Sequence, residues 1–259
     1  MKTKSLPYYL LSLPLFALLI SCGLKEEDIK TLQSSVQAVA TLLEQADATV
    51  EVDLALISTA ESAHKFITDA EEVFVRVPGA AKIDLTQTAD GHYTATSKDN
   101  SDLEYKDGGT YQFSFKLPSE GEEGEEEKNY AAVTIAPAAE VSFEWTKTPA
   151  FAGDTGGLSW TPKTHNAIVT VYGPDGEITY STFDFSEPQF EGDKWARLGA
   201  NGSLTLSVDV FKKAGKYKVI MCAVTKNAGF DEELSADLGA LSGFLAGKCV
   251  EPTEFDLSE

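Results

Sequence analysis

Positive charge is scarce in this sequence. Its 259 residues include 21 Lys and Arg against 41 Asp and Glu, which gives a formal net charge of −20. Loss of Lys2 and Lys4 with an N-terminal leader leaves 19 basic residues against 41 acidic ones, or −22. Such a surface repels phosphate backbones and anionic headgroups, so nucleic-acid binding is not expected. Hydrophobic residues make up 42% of the chain, which is enough for packed cores.

Motifs for catalysis and metal binding are also missing. The sequence has no Gly-x-Ser-x-Gly, no His-Glu-x-x-His and no Cys-x-x-Cys. Its histidines, His64, His92 and His165, lie in three different segments. We therefore expect no catalytic residues, no cofactor and no metal site. A hydrolase in which folding brings His92 or His165 to an Asp is the third alternative for function.

The N-terminus has the features of an export signal. Lys2 and Lys4 precede an apolar run from Leu6 to Ile20. Pro7 and Pro14 interrupt this run, which is too short for a comfortable transmembrane helix. Residues 1–21 are therefore predicted to be a cleaved signal peptide.

The end of this leader reads Leu19-Ile20-Ser21-Cys22 and resembles the bacterial lipobox. The resemblance implies cleavage between Ser21 and Cys22, a diacylglyceryl group on the Cys22 thiol, and a fatty acyl chain such as palmitate on the new amino terminus. Two or three acyl chains anchor a protein stably to a membrane. The alternative is an ordinary secretory signal with an incidental cysteine.

The residues after the lipobox bear on location. Gly23 favours the outer membrane, because an Asp at this position favours inner-membrane retention in enterobacteria. Residues 25–28 (Lys-Glu-Glu-Asp) resemble the tether that sends some lipoproteins to the cell surface. The alternative for these residues is a solvated helix start, so either face of the outer membrane is possible.

Residues 22–70 are predicted to form a lipid-anchored helical stem. Neither Gly nor Pro occurs from Leu24 to Val77. Apolar residues alternate at spacings of three and four, which places them on one seam of a helix: Ile29, Leu32, Val36, Val39, Leu43, Ala46 and Val50. Two alternatives are open: a self-associating coiled-coil stalk, or a helix packed on its own β domain.

Residues 71–149 are predicted to form a first β region of short antiparallel strands. Turn signals such as Pro78-Gly79 and Asp90-Gly91 separate the segments. The candidate strands are 72–77, 82–88, 92–97, 110–117, 130–136 and 141–146. The Glu-rich residues 119–128 are predicted to be a loop, because like charges repel and apolar residues are absent there.

Residues 150–250 are predicted to form a second β region, followed by a tail at 251–259. Its candidate strands are 158–162, 167–172, 177–180, 204–208 and 215–224. The turn Gly173-Pro174-Asp175-Gly176 joins two of these strands into a hairpin.

The second β region carries a pattern that resembles fibronectin type III modules, which are immunoglobulin-like β-sandwiches. The pattern has an early Leu-x-Trp-x-Pro, a later Tyr strand, and then a Gly and a Ser: Leu158, Trp160, Pro162, Tyr217, Val219, Met221, Ala223, Val224, Gly229 and Ser235. The resemblance implies that Trp160 is a core residue and that Tyr217 ties a loop to the corner of the sheet.

Cys222 and Cys249 are the only thiols left once Cys22 is acylated. Two cysteines in an oxidising compartment usually pair, so a disulfide is predicted. Two buried free thiols are the alternative.

The sequence as a whole predicts a mainly β envelope lipoprotein that presents its modules to a protein or glycan partner without catalysis. The candidate contact patch consists of four aromatics: Phe183, Phe185, Phe190 and Trp195. The alternative is an accessory subunit of an outer-membrane assembly that docks through its helical stem.

Overall fold

The computed structural model describes residues 36–58, 64–79, 81–117, 128–135, 141–184, 186, 202–226, 229–230 and 243–259. These residues form the following strands: β1 (Val36–Glu44), β2 (Val50–Ser58), β3 (Lys65–Phe66), β4 (Glu71–Arg76), β5 (Lys82–Asp84), β6 (Thr86–Gln87), β7 (Tyr93–Thr96), β8 (Thr110–Leu117), β9 (Lys128–Ile135), β10 (Ser142–Lys147), β11 (Gly156–Thr161), β12 (Asn166–Tyr172), β13 (Ile178–Ser181), β14 (Ser203–Leu206), β15 (Gly215–Lys226), β16 (Gly229–Phe230), β17 (Gly243–Cys249) and β18 (Thr253–Leu257). Within these ranges, no helix is long and apolar enough to span a membrane.

A ten-stranded central sheet joins strands from both ends of the described chain. Its order is β13-β12-β15-β17-β1-β2-β7-β6, with β18 also beside β15 and β3 also beside β2. β1 and β17 run parallel, whereas the other pairs of this sheet are antiparallel. The sheet thus takes strands from either side of residues 70 and 149, and the domain division at those positions stays a prediction.

The helix predicted over residues 36–58 is wrong, because these residues form the β1–β2 hairpin. Val50, Val52, Leu54 and Leu56 alternate along β2 and face one core, while Ala55 and Ile57 face another. A strand buried on both faces is apolar at nearly every position, so spacings of three and four can be picked out of it as easily as spacings of two. Residues 22–35 and 59–63 of the predicted stem lie outside the described residues, and Lys65–Phe66 form β3.

The first sandwich packs a five-stranded sheet, β16-β9-β8-β4-β5, against one face of the central sheet. We call this side of the central sheet the front face. The core includes residues of β1, β2, β4, β8 and β17, and the Phe113 and Phe244 rings stack across it at 4.9 Å. Tyr111 is fully buried, and its hydroxyl donates to the Glu104 carbonyl and accepts from the Lys106 amide, each at 2.7 Å. Burial raises the pKa of Tyr111 to about 12.

The second sandwich packs the three-stranded sheet β10-β11-β14 against β12, β15 and β18. As the resemblance implied, Trp160 is a core residue, and its indole N–H donates to the His165 carbonyl at 2.8 Å. Tyr217 also fits its implied role, because its hydroxyl donates to the Lys213 carbonyl at 3.0 Å and accepts from the Lys213 amide at 3.3 Å. A buried Trp and a tyrosine tied to upstream backbone are features of immunoglobulin-like sandwiches.

Both sandwiches use the same face of the central sheet. Residues directly opposite each other in neighbouring strands point to the same side. Ala246 of the first core is opposite Thr225, and two-residue steps along β15 lead from there to Met221 and Val219 of the second core. The sheet therefore carries two cores side by side on its front face.

The opposite side of the sheet, which we call the back face, has its own apolar cluster. Val39, Ala55, Val224 and Leu245 are fully buried there, and Phe66 packs against the same cluster. The predicted tail at 251–259 is also part of the sheet, since β18 pairs with the first half of β15. Thr253, Phe255 and Leu257 alternate with exposed residues along this strand.

Candidate functional site

A groove on the back face lies beside the buried cluster. Its floor consists of three cross-strand pairs from β12 and β15: Ile168 with Cys222, Thr170 with Ile220, and Tyr172 with Lys218. Alternation on β12 and β15 directs these side chains away from the second core, which takes the residues between them. The floor is therefore amphipathic, with Ile168 buried, Ile220 and Tyr172 half-buried and Lys218 exposed.

One wall of the groove is the turn between β1 and β2. The Gln45 amide donates to the Thr49 carbonyl at 2.7 Å, and the Ala48 amide donates to the Gln45 carbonyl at 2.9 Å. Ala48 has a φ of 62°, the left-handed conformation that closes this turn. Leu43 precedes the turn and lines the groove together with Asp47.

The charged rim of this wall is held by local pairs. Lys98 Nζ lies 3.7 Å from Asp47 Oδ2, and Gln45 Nε2 donates to Glu51 Oε2 at 2.8 Å. Hydrogen bonds from the side chain and backbone of Thr49, with a smaller contribution from Lys98, hold the pKa of Asp47 below its ordinary value. The Asp47 carboxylate is therefore charged at neutral pH.

The other wall is the connection between β17 and β18. Val250, Glu251 and Pro252 line the groove here, and the Val250 amide donates to the Met221 carbonyl at 3.0 Å. The groove is open to solvent and has a volume of about 540 Å³. This volume falls within the range of small-molecule sites, which combine an apolar lining with a few polar groups. We call this site, lined by residues of the β1–β2 turn, β12, β15 and the β17–β18 connection, the back-face groove.

The predicted disulfide is confirmed and forms part of the groove floor. Cys222 and Cys249 lie opposite each other on β15 and β17 and are bonded through their sulfurs. Both are buried. Along β15, residues 215–219 pair with β18 and residues 222–226 pair with β17, so the disulfide joins the first of the pairs with β17.

Phe183, one of the four residues of the predicted aromatic contact patch, does not lie on an open surface. This residue is only 5% exposed and packs in the back-face cluster, so it is not available to a partner. The sequence did not show that an aromatic side chain packs in the apolar cluster on the back face. Phe185, Phe190 and Trp195 lie outside the described residues, as do Ser21, Cys22 and residues 119–127 of the acidic loop.

The histidines belong to different parts of the molecule. His92 Nδ1 lies 2.8 Å from Asp53 Oδ1, and its ring meets that of Phe66 edge-on at 4.9 Å. His165 precedes β12 in the second sandwich, where burial holds its pKa below the ordinary value. No cluster of three metal-ligating side chains occurs in the part of the chain that the structure describes.

The sequence did not predict the back-face groove, although Leu43 was expected on the seam of a helix and Cys222 in a disulfide. Leu43, Tyr172, Ile220 and Val250 come from four distant segments and resemble ordinary strand residues. A weak signal was present, because Tyr172 and Ile220 lie on the polar side of alternating strands whose other side fills a core.

Comparison with known proteins adds little to this description. No protein-family model and no curated protein matches the chain. Among solved structures, it is similar to the crystal structure of chicken CNTN1 FN1-FN3 domains, with a TM-score of 0.23 and 11% identity. The alignment covers 85% of this chain and 63% of that chain, which is less than two thirds of its length. A TM-score of this size supports no argument about function.

Proposed function

We propose that this protein is a lipid-anchored envelope protein that binds a protein or glycan partner through its back-face groove and catalyses no reaction. The observation that carries the binding proposal is the groove itself. Leu43 and Ile220 extend the apolar back-face cluster out to a half-exposed surface, next to a rim of charged side chains. Partly exposed apolar surface bordered by polar groups is typical of interaction sites.

The anchoring part of the proposal is supported by the lipobox resemblance at Cys22. An acidic chain of net charge −20 has no electrostatic attraction to an anionic bilayer, so acyl chains are needed to keep it there. Residues 36–58 cannot dock to an outer-membrane assembly as a helical stem, because they are strands.

The anchor is tested by growing cells that express the full-length protein with a clickable palmitate analogue. We expect the wild-type protein to be labelled and to sediment with membranes, and Cys22→Ser to be unlabelled and soluble. A Cys22→Ser protein that stays with the membranes unchanged contradicts the anchor. Protease treatment of intact cells then reports the face, since degradation of the body indicates the cell surface.

The groove is tested by screening the purified full-length protein for binding to glycans and to envelope proteins of the organism that produces it. We expect Ile220→Lys to abolish binding of any specific partner, because a charge replaces an apolar floor residue. Val208→Lys, at an exposed site outside the groove, is the control. If the Ile220→Lys protein binds its partner as well as wild type does, the partner binds outside the groove, which contradicts the proposed site.

A further inference from the structure

The floor of the back-face groove cannot accept a partner strand. β12 lies between β13 and β15, and β15 lies between β12 and the β17–β18 pair, so neither strand is an edge. Beyond the end of β13, the Thr182 hydroxyl accepts from the Val169 amide at 2.8 Å and donates to the Ala167 carbonyl at 3.0 Å. Peptide recognition by strand addition needs free backbone groups, so a ligand here is recognised by side chains.

The rim of the groove is nearly balanced in charge, although the chain is strongly acidic. Two lysines, Lys98 and Lys218, face three carboxylates, Asp47, Glu51 and Glu251. An anionic ligand would meet the carboxylates and a polycation would meet the lysines. A neutral ligand rich in hydroxyls suits both, since each hydroxyl accepts from an ammonium group and donates to a carboxylate.

The floor of the groove has apolar surface large enough to contact sugar rings. Ile168, Thr170 and Tyr172 extend over about 13 Å, from four residue steps of about 3.3 Å along a strand. Tyr172 and Ile220 are half-buried on opposite strands, which leaves part of a ring and part of an aliphatic surface facing the groove. The C–H face of a pyranose ring packs on such a surface, while the hydroxyls at its edge reach outwards to the rim.

We infer that the ligand of the back-face groove is a short neutral oligosaccharide, an inference that rests on the proposed function of a binding module. Tyr172 and Ile220 contact the sugar rings. Lys218, Glu51 and Glu251 bind the hydroxyls.

The test uses the full-length protein in detergent on an array of neutral hexose and N-acetylhexosamine oligosaccharides. Matched sulfated and uronic-acid oligosaccharides and short unmodified peptides are included as competing classes. We expect binding to neutral members, weakened roughly tenfold or more in Tyr172→Ala and retained in Tyr172→Phe, because the ring and not its hydroxyl supplies the packing. Phe151→Ala is the matched control, since that ring is 50% exposed and lies outside the groove.

Binding only to charged oligosaccharides or peptides overturns the inference, and so does the absence of binding to any member of the array. Neutral binding that Tyr172→Ala leaves unchanged also overturns it. Equal unfolding midpoints of wild type and Tyr172→Ala establish that a loss of binding is local. If the array test fails while Cys22 is labelled by the palmitate analogue, only the inference of a neutral oligosaccharide ligand is refuted. If Cys22 is not labelled, the proposed lipid anchor is refuted and the inference about sugar binding stands.

Discussion

The tyrosine of the second sandwich gives a quantitative test of the fold. Tyr217 is 1% exposed, and its hydroxyl makes two hydrogen bonds to the backbone of Lys213, at 3.0 and 3.3 Å. Tyr217→Phe removes both bonds and leaves a carbonyl and an amide of the loop without this partner. At about 1 kcal/mol per bond, the free energy of unfolding should fall by about 2 kcal/mol. For a body of this size, the midpoint of thermal unfolding should fall by about 4–8 °C.

Calorimetry and urea unfolding of the purified protein measure this change. Tyr172→Phe is the matched control, because Tyr172 is half-buried in the groove and a surface substitution of this kind should stay within about 0.5 kcal/mol. A Tyr217→Phe protein as stable as wild type refutes a stabilising role for the two hydrogen bonds between Tyr217 and Lys213. Equal losses in both variants refute it as well, since the effect would then follow the loss of a hydroxyl and not its position.

Further predictions concern the sheet and the turn before β12. Replacing Cys222 and Cys249 by Ala opens a loop with a sequence separation of 27 residues, which should lower the free energy of unfolding by about 3–4 kcal/mol in chemical denaturation; an unchanged midpoint would contradict the bond. Gly247→Ala places a Cβ 2.2 Å from the Ala223 carbonyl oxygen, and the resulting overpacking should cost about 1–3 kcal/mol, measured in the same way. Burial lowers the folded-state pKa of His165 below its ordinary 6.5, so the unfolded state takes up a proton first and stability should fall as pH drops below 6.5. His165→Gln should show a shallower fall over that pH range, and an identical pH profile would refute a role for this histidine.

Strands with one solvent-exposed face could be predicted from the sequence. Residues 110–117 alternate between core and solvent and form β8 with the predicted bounds. Turn signals also placed the β12–β13 hairpin correctly. In both cases the prediction used only neighbouring residues, whose polar side chains indicate which positions contact water.

Strands buried on both faces could not be recognised in this way. β1 and β2 combine the front-face core with the back-face cluster, so their apolar residues match helical and extended spacings alike. The residues around Asp47 form the turn of a hairpin, where the sequence had predicted a helical stem. The groove was missed for a related reason, since it depends on the parallel pairing of β1 with β17, which brings together segments about 200 residues apart.

Residues 36–58 form the strands that complete the central sheet, and the turn between them is one wall of the back-face groove. Hydrogen–deuterium exchange of the full-length protein measures this directly, because interior strands exchange only when the sheet opens. We expect peptides from 36–58 to exchange as slowly as those from 215–226, since β1 lies between β17 and β2. Rapid exchange of 36–58 beside a protected 215–226 would contradict the shared sheet and the groove built on it.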